Sequence, residues 1–293
     1  MMRRSYPSKI TPPFPRATYS HNRQPMSEGA KPFIKWAGGK RWLAPVVRDI
    51  APKYFNKYIE PFVGGAAIFF ALAPKYSVLG DLNGDLINVY KVVRDSPEEL
   101  SYLLKLHHSN HCRDHYYSVR AIRHTCDIHR AADFLYLNRT CWNGLYRVNL
   151  RGEFNVPIGT KTKVYDASED LVNISSYLKN TDFIHGDFET TLSFASDGDF
   201  VFVDPPYTVK HNFNGFLKYN EKLFSWSDQI RLRDCCLAAK SRGASIVISN
   251  ADHESVRELY TGYGEIDTFA RASVIAGSNS ARQEITELLV RMA

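Results

Sequence analysis

The sequence lacks the features that would direct a protein into or across a membrane. It has no apolar run of membrane-spanning length, and its first residues lack the apolar centre of a signal peptide. Cysteine is scarce and odd in number, and no pair has C-x-x-C spacing. The five residues are Cys112, Cys126, Cys141, Cys235 and Cys236. We therefore expect free thiols, a reducing compartment and a cytoplasmic location.

Two nucleotide-binding fingerprints are also missing. Gly38-Gly39-Lys40 is not part of a G-x-x-x-x-G-K-[ST] loop, and Gly64-Gly65 does not extend to G-x-G-x-x-G. These absences disfavour a P-loop nucleotidase and a nicotinamide oxidoreductase, and they favour a nucleoside cofactor without a pyrophosphate. The glycine turn before Lys40 opens a helical pattern, so it remains suited to bind a carboxylate or a phosphate, although a simple loop-to-helix entry is the alternative.

The composition is that of a globular protein with one large domain or two. The chain has 293 residues, of which 44% are hydrophobic and 23% are charged. Its formal charge of +6 suits a nucleic-acid partner without establishing one. Residues 1–30 hold five prolines before Met26, scattered arginines and no structural period. They predict a disordered basic arm.

The most informative stretch is Asp199-Phe-Val-Phe-Val-Asp-Pro-Pro-Tyr-Thr-Val209. Its apolar run at 200–203 is typical of a buried strand, which two prolines end because they cannot continue a ladder. Asp204, the Pro205 carbonyl and the Tyr207 ring are then expected at the carboxyl end of a strand, where open α/β sheets bind ligands. Taken alone, four residues do not distinguish this site from an ordinary strand end.

This stretch suits chemistry at an exocyclic amino group of a nucleobase. Asp204 and the Pro205 carbonyl are two neighbouring acceptors, and such an amine has two N–H donors. Gripping both hydrogens draws the nitrogen lone pair out of conjugation with the ring and aims it at an electrophile, while Tyr207 offers a face for stacking. We predict Asp204, Pro205, Pro206 and Tyr207 as the catalytic residues.

The order of predicted elements indicates a doubly wound sheet. Residues 58–72 predict a strand, a Gly-rich turn and a helix, and residues 76–83 predict a second strand ending in Asp81. That acid is our candidate for binding ribose hydroxyls, the alternative being a role at the start of the next helix. Later strands are predicted at 183–188 and 244–249, with Phe188 able to flank a purine.

The remaining segments complete the prediction. A loop at 210–226 is followed by a helix at 227–242, and hairpin strands at 271–275 and 287–290 enclose a loop at 276–282. Residues 84–135 are predicted largely helical and carry six histidines and two cysteines. Their spacing matches no zinc pattern, so we expect a polar helical surface and no metal.

Residues 134–159 are the other dense stretch. Asn143-Gly144 and Arg151-Gly152 are turn signals, which predict one or two hairpins. Arginines and amides are mixed there with aromatic rings, and such side chains read bases or wedge between them. We favour DNA contact over a solvated polar face, with Lys161 and Lys163 near phosphates. The predicted DNA-binding residues are Arg139, Trp142, Asn143, Leu145, Arg147, Asn149 and Arg151.

The chain resembles the Dam-type DNA adenine-N6 methyltransferases from about Lys31 to its C-terminus. Seven motifs occur in the family's order: Lys-Trp-Ala-Gly-Gly-Lys (35–40), Glu-Pro-Phe-Val-Gly-Gly (60–65), Asp-Leu-Asn (81–83), Asn-Gly-Leu-Tyr-Arg (143–147), Gly-Glu-Phe-Asn-Val-Pro (152–157), Gly-Asp-Phe (186–188) and Asp-Pro-Pro-Tyr (204–207). The resemblance implies S-adenosylmethionine as cofactor and no metal. The implied cofactor-binding residues are Trp36, Ala37, Gly38, Gly39, Lys40, Glu60, Pro61, Phe62, Val63, Gly64, Asp81, Asp187, Phe188 and Asp204.

The resemblance also assigns roles in recognition. Trp142 stands where the family inserts a Tyr or Phe into the DNA stack, and Arg147 stands where members that methylate GATC read a guanine. Ala66 occupies a position where many relatives have glycine, and alanine fits there if φ is negative.

Together these observations predict an α/β protein with a doubly wound, Rossmann-like methyltransferase sheet. We expect a catalytic domain from 31–95 and 176–293, and an inserted, mostly helical recognition domain with a β-hairpin at 96–175. The expected activity is methylation of N6 of a flipped adenine in double-stranded DNA within GATC, by a monomer or weak dimer, with a cognate restriction endonuclease as a further partner. The alternatives are a cytosine-N4 or RNA-base methyltransferase and an inactive DNA-binding regulator.

Overall fold

A computed structural model of the chain describes residues 30–144, 146–149, 152–166, 170–210, 224–272 and 284–293. Four predicted features lie outside these residues in whole or in large part. They are the basic arm at 1–30, the DNA-binding residues Leu145 and Arg151, the loop at 210–226 and the loop at 276–282.

Helices and strands alternate along most of the described chain. In chain order they are α1 (Ala44–Ile50), β1 (Tyr58–Glu60), α2 (Ala67–Leu72), β2 (Ser77–Asp81), α3 (Gly84–Asp95), α4 (Pro97–Asn110), α5 (Arg113–Ala121), α6 (Asp127–Thr140), a 3-10 turn (Trp142–Gly144), α7 (Leu171–Leu178), β3 (Thr181–His185), α8 (Phe188–Leu192), β4 (Phe200–Val203), α9 (Trp226–Ser241), β5 (Ser245–Ala251), α10 (Glu254–Tyr260), β6 (Glu265–Ala272) and β7 (Glu284–Met292). No helix in these ranges is both long and apolar enough to cross a membrane.

The strands of the described residues form one sheet in the order β3-β2-β1-β4-β5-β7-β6. Strands β1 to β5 are parallel to one another, and β7 lies antiparallel between β5 and β6. The chain moves outward from β1 to β3 and returns to β4 on the other side of β1, so a topological switch point lies between β1 and β4. The predicted doubly wound α/β fold is confirmed.

Strand β4 shows why its sequence is apolar without alternation. All four of its residues are buried, because helices cover both faces of the sheet. Phe200 and Phe202 join a core with α1 to α7, whereas Val201 and Val203 join a second core with α8 to α10. This double burial fixes the height at which the following residue, Asp204, leaves the sheet.

Most predicted helices and strands match the observed ones, but the strand predicted at 183–188 is β3, which ends at His185, and Phe188 begins α8. The helix predicted at 227–242 is α9, and the strand predicted at 244–249 is β5, which continues to Ala251. The closing hairpin is also present, with strands longer than predicted: β6 begins at Glu265 and β7 begins at Glu284. The region 84–135 forms α3 to α5 and most of α6.

Helices α4 to α6 pack beside α3. Asn88 on α3 donates to the carbonyl of Asp127 at 2.8 Å, and Arg130 on α6 forms an ion pair with Asp85 at 2.5 Å. These contacts attach the helical region between β2 and α7 to the sheet.

The histidine-rich segment forms contacts between helices. His107 and His115 approach within 3.0 Å through their ring nitrogens, and His107 stacks on Tyr136 with centroids 4.7 Å apart. His107 also lies 3.3 Å from Asp133. Among the described residues, no group of three or more His, Cys, Asp or Glu side chains is arranged to hold a metal ion.

Candidate active site

A cleft of about 1330 Å³ opens at the carboxyl ends of the parallel strands. Of the six acidic residues that border it in the described part of the chain, four each lie just after or at the end of a different strand of the sheet. We call this set the sheet edge: Glu60, Asp81, Asp187 and Asp204. The opposite wall includes Arg130, Tyr146 and Arg147. The cleft thus joins the predicted cofactor and catalytic residues to part of the predicted recognition region.

Asp204 lies on the floor of the cleft, beside Lys40. The Lys40 ammonium is 3.1 Å from Asp204 Oδ1 and donates to the carbonyl of Gly38 at 3.0 Å. Burial raises the pKa of Asp204 to about 6, although Lys40 acts in the opposite direction. The carboxyl group is therefore ionised at neutral pH and well placed to accept hydrogen bonds.

Tyr207 is held by two residues that the sequence did not indicate. Its hydroxyl donates to Glu287 Oε2 at 2.7 Å and lies 2.9 Å from the hydroxyl of Ser249. The Lys40 ammonium lies 4.7 Å from the centre of its ring. The sequence does contain a signal for Glu287: it is a charged residue directly before the apolar run Leu288 to Val290, in a predicted strand.

The Gly-rich turn after β1 closes around Trp36. A Cβ added to Gly64 would meet Trp36 Cδ1 at 2.8 Å, and φ at Gly64 is +45°, so both space and backbone conformation favour glycine. Ala66 has φ of +54°. The condition under which alanine was expected to fit is not met, and the left-handed conformation costs about 1 kcal/mol.

Asp81 supports the same turn. Its carboxylate accepts from the backbone N–H of Gly64 at 3.1 Å and of Asn83 at 2.9 Å. Burial raises the pKa of Asp81, and these hydrogen bonds oppose that rise. The alternative role predicted for this neighbourhood, at the start of the next helix, is observed, because Asn83 caps α3 by accepting from Leu86; ribose binding by Asp81 stays a prediction.

Asp187 and Phe188 form the next part of the wall with a partner that the sequence did not indicate. Arg231 on α9 makes a two-pronged ion pair with Asp187 at 2.8 and 3.1 Å, and its guanidinium lies 4.4 Å from the centre of the Phe188 ring. Phe188 stacks against Phe62 with centroids 5.6 Å apart. No local pattern in α9 distinguishes Arg231 from its other arginines.

Trp36 connects the cofactor motif to the predicted recognition region. Its ring stacks against Tyr146 and Phe134, with centroids 5.8 and 6.4 Å apart. The buried Asn138 exchanges two hydrogen bonds with the backbone of Lys35, at 3.1 and 2.8 Å. The Lys35 ammonium donates to the carbonyl of Asn143. The Lys35-Trp36 motif is therefore held against the predicted recognition region through Phe134 and Asn138 of α6.

We call residues 140–166 the recognition segment. The predicted turn at Asn143-Gly144 is present, whereas the turn predicted at Arg151-Gly152 lies partly outside the described residues. In the described part of the segment, two isolated antiparallel bridges, Cys141 with Ile158 and Val148 with Phe154, occur in place of regular hairpin strands. Asn143 has φ of +56°, as its turn requires.

The predicted DNA-binding residues fall into two groups. Trp142 is 55% exposed, and Arg147 is exposed beside the cleft with one hydrogen bond to Asn155 at 3.0 Å. In contrast, the side-chain amide of Asn149 is bonded to Glu153 within the turn: its nitrogen donates to Glu153 Oε2, and its oxygen accepts from the Glu153 backbone N–H. Arg139 donates to the carbonyl of Val164 at 2.7 Å. The second pair is thus engaged in holding the recognition segment.

Comparison with known proteins identifies the family. Residues 36–274 match the family described as D12 class N6 adenine-specific DNA methyltransferase. The type II methyltransferase M1.LlaDCHI of Lactococcus lactis subsp. cremoris is 38% identical over 269 residues, which is 89% of this chain and 94% of the relative. The type II methyltransferase M.MjaIII of Methanocaldococcus jannaschii is 37% identical over 285 residues, covering 89% of this chain and 98% of the relative.

A third relative has a different kind of name. The DNA adenine methylase of Serratia marcescens is 36% identical over 265 residues, covering 88% of this chain and 96% of the relative. The family match spans the motifs from Trp36 to Tyr207 that the cleft brings together. This chain is therefore an enzyme of the D12 class of N6 adenine-specific DNA methyltransferases.

Proposed function

We propose that this enzyme transfers a methyl group from S-adenosylmethionine to N6 of an adenine that is rotated out of duplex DNA, within the sequence GATC. One observation carries the proposal: Asp204, Pro205 and Tyr207 border the same cleft as Asp81 and Phe188. A base and a nucleoside cofactor bound in that cleft would meet at Asp204.

The residues of the cleft fit S-adenosylmethionine. Asp81 keeps acceptor capacity for ribose hydroxyls beyond its two backbone bonds, and Phe188 and the exposed Leu82 are apolar surfaces for the adenine ring. The turn of Gly64 admits a close approach of the ligand to the backbone. We propose the remaining cofactor contacts as predicted, at 36–40, 60–63 and Asp187, with Asp204 next to the reacting methyl group.

The reaction follows from the acceptors at Asp204 and Pro205. S-Adenosylmethionine supplies a methyl group on a sulfonium, which is the electrophile. Asp204 and the Pro205 carbonyl accept the two N6 hydrogens, Pro206 fixes the turn, and Tyr207 stacks on the base. The N6–methyl bond forms as the sulfur–methyl bond breaks, and one N6 proton leaves through Asp204 to solvent. The products are N6-methyladenine and S-adenosylhomocysteine, with no covalent enzyme intermediate.

DNA contact is proposed for the recognition segment. The exposed ring of Trp142 supports a wedge that offsets the cost of base flipping, and the exposed guanidinium of Arg147 supports guanine readout. Asn143 lies at the same turn. Arg139 and Asn149 hold the segment in shape, and for Leu145 and Arg151 DNA contact stays a prediction from the sequence.

The proposed domain boundaries follow the same division. We propose a catalytic domain of 31–95 and 176–293 and a recognition domain of 96–175, because all strands of the described sheet come from the first two ranges; the boundary at 176 falls within α7. Since two relatives are named type II methyltransferases, a restriction endonuclease that cuts the same site is included among the proposed partners, beside double-stranded DNA.

The proposal is tested by expressing the enzyme in a methylation-free host and sequencing the host DNA with a method that detects N6-methyladenine in context. We expect methyl groups at GATC, and none when Asp204→Ala is expressed at the same level. Methylation at another motif would retain the chemistry and refute the role of Arg147. Undiminished methylation by Asp204→Ala would refute the catalytic assignment.

A further inference from the structure

Glu287 is a buried carboxyl group that the proposed reaction does not use. It lies within β7 with 2% of its surface exposed, just before Leu288 and Leu289, which belong to the two cores. Burying a carboxylate is costly unless charged or hydrogen-bonding partners compensate for the loss of water. β7 lies two strands from β4 in the sheet, with β5 between them, so the side chain of Glu287 is within reach of the residues that follow β4.

Both identified partners of Glu287 belong to the active site. Glu287 Oε2 accepts from the Tyr207 hydroxyl at 2.7 Å and lies 3.7 Å from the Lys40 ammonium. That ammonium is also 3.1 Å from Asp204 Oδ1. One buried cation therefore lies between two carboxyl groups, nearer to the one that the reaction needs.

The present position of Lys40 conflicts with binding of the base. Its ammonium donates toward Asp204 and lies 4.7 Å from the centre of the Tyr207 ring. The N6 amine of a base held by Asp204 would compete with the ammonium for this carboxylate. Lys40 must therefore yield Asp204 when the base enters, and a buried ammonium without a carboxylate partner would be strongly unfavourable.

We propose that Glu287 is a positioning residue for methyl transfer, which receives the Lys40 ammonium when the target amine takes its place on Asp204 and which fixes the Tyr207 ring through its hydroxyl. This inference rests on the proposed function of Asp204 and Tyr207 as the base site. Because Lys40 already lies within 3.7 Å of Glu287, a side-chain shift of about 1 Å completes the exchange.

Glu287 also affects the negative charge that Asp204 presents to the target amine. With Lys40 paired to Glu287, Asp204 keeps its full negative charge toward the amine, which becomes positive as the methyl group arrives. Without Glu287, Lys40 would remain on Asp204 and compete with the amine. The loss of Glu287 should therefore slow the chemical step more than it weakens binding.

A pH profile separates this role from a merely structural one. The groups that face Asp204 are Lys40, which lowers its pKa, Glu287, which raises it, and Tyr207, with Tyr58 and Glu60 from β1 behind them. Replacing Glu287 by glutamine removes a negative neighbour and lowers the pKa of Asp204. The acidic limb of the rate profile should then move to lower pH.

The experiment uses the full-length enzyme in single-turnover methylation of a GATC duplex, with wild type, Glu287→Gln, Glu287→Asp and Ser249→Ala. For Glu287→Gln we expect a rate loss on the order of 10- to 100-fold and an acidic limb that moves to lower pH. The dissociation constants for DNA and cofactor should stay within about threefold of the wild-type values. Glu287→Asp keeps the charge and should keep the wild-type limb. Ser249→Ala removes the other partner of Tyr207 and a hydrogen bond that lowers the pKa of Asp204, so its acidic limb should move to higher pH, opposite in direction to that of Glu287→Gln.

A wild-type rate in Glu287→Gln, or a slow rate with an unmoved acidic limb, would overturn the inference. If Glu287→Gln does not fold, Lys40→Met tests the same arrangement from the other side. Removing the ammonium should move the acidic limb to higher pH, and an unmoved limb again refutes the inference. Failure of the proposed function looks different, because wild type would then form no N6-methyladenine or Asp204→Ala would remain active.

Discussion

The two walls of the cleft differ in how their polar side chains are bonded. At the sheet edge, Asp81, Asp187 and Asp204 each bond or pair with groups of the protein. In the recognition segment, Trp142 and Arg147 are exposed. The sheet edge is therefore organised by contacts within the protein, whereas Trp142 and Arg147 face solvent, which suits the DNA contact proposed for them.

This difference follows from the backbone that carries each wall. Parallel strands buried on both faces leave their end residues little freedom, so carboxylates after β1, β2 and β4 converge on one cleft. The recognition segment is joined by two isolated bridges and by side-chain bonds such as that of Arg139 to Val164. Substitutions in the two walls should thus affect different steps of the reaction.

The largest effect is expected at the sheet edge. Asp204→Asn keeps the size of the side chain and removes its charge, so transfer should fall by at least about 10³-fold while cofactor binding persists. Single-turnover methylation and calorimetry with S-adenosylmethionine measure the two properties. A rate within tenfold of wild type would show that this wall is not specialised for chemistry.

The next effect is a pH dependence of both rate and stability. Because burial raises the pKa of Asp204 to about 6, methyl transfer should fall about tenfold per pH unit below that value as the carboxylate becomes protonated. The free energy of unfolding should change with pH in the opposite direction to the methylation rate. The native state binds this proton more tightly than the unfolded state, so Asp204 lowers stability as pH rises from about 4 to 6, and the loss persists above that range.

Asp204→Asn removes this stability cost. The variant should be more stable than wild type at pH 8 by roughly 1–3 kcal/mol, and the difference should disappear below about pH 4. Denaturant unfolding at the two pH values measures it. Equal stability at both values would contradict a carboxylate held in an unfavourable buried position.

A smaller effect is expected in the recognition segment. Arg147→Ala should cost roughly 1–3 kcal/mol in discrimination and relax the preference at one base pair, because its exposed guanidinium has donors besides the Nε bonded to Asn155 with which to read a guanine edge. Methylation rates on duplexes substituted at each position measure this preference. Asn149→Ala is the matched control: its amide bonds to Glu153, so the turn should weaken without a change in preference.

The smallest effect concerns the exposed ring of Trp142. Trp142→Ala should weaken productive DNA binding by about tenfold through loss of stacking, whereas Trp142→Phe should retain most of it. Fluorescence of a base analogue at the target position reports flipping directly. Equal behaviour of the alanine and phenylalanine variants would remove the ring from the flipping step and leave the recognition segment with a role in readout alone.

The sequence was a good guide wherever function depends on local backbone. The strand and double proline around Asp204, the glycine turn at Gly64 and the acid at the end of β2 were all predicted, because strand ends and tight turns have strong residue signatures. Ala66 was the exception. Its positive φ is imposed by the turn, and an alanine, unlike a glycine, gives no sign in the sequence that φ is positive there.

The amino-acid sequence by itself determined the doubly wound fold, the motifs at the sheet edge and the chemistry that they favour, because hydrophobic period, prolines and glycines act over a few residues. Only the tertiary structure decided which side chains meet. Glu287 reaches Tyr207 from β7 and Arg231 reaches Asp187 from α9, across 80 and 44 residues of chain. Lys40 likewise approaches Asp204 because the fold, and not any spacing in the sequence, brings their strands and turns to one cleft.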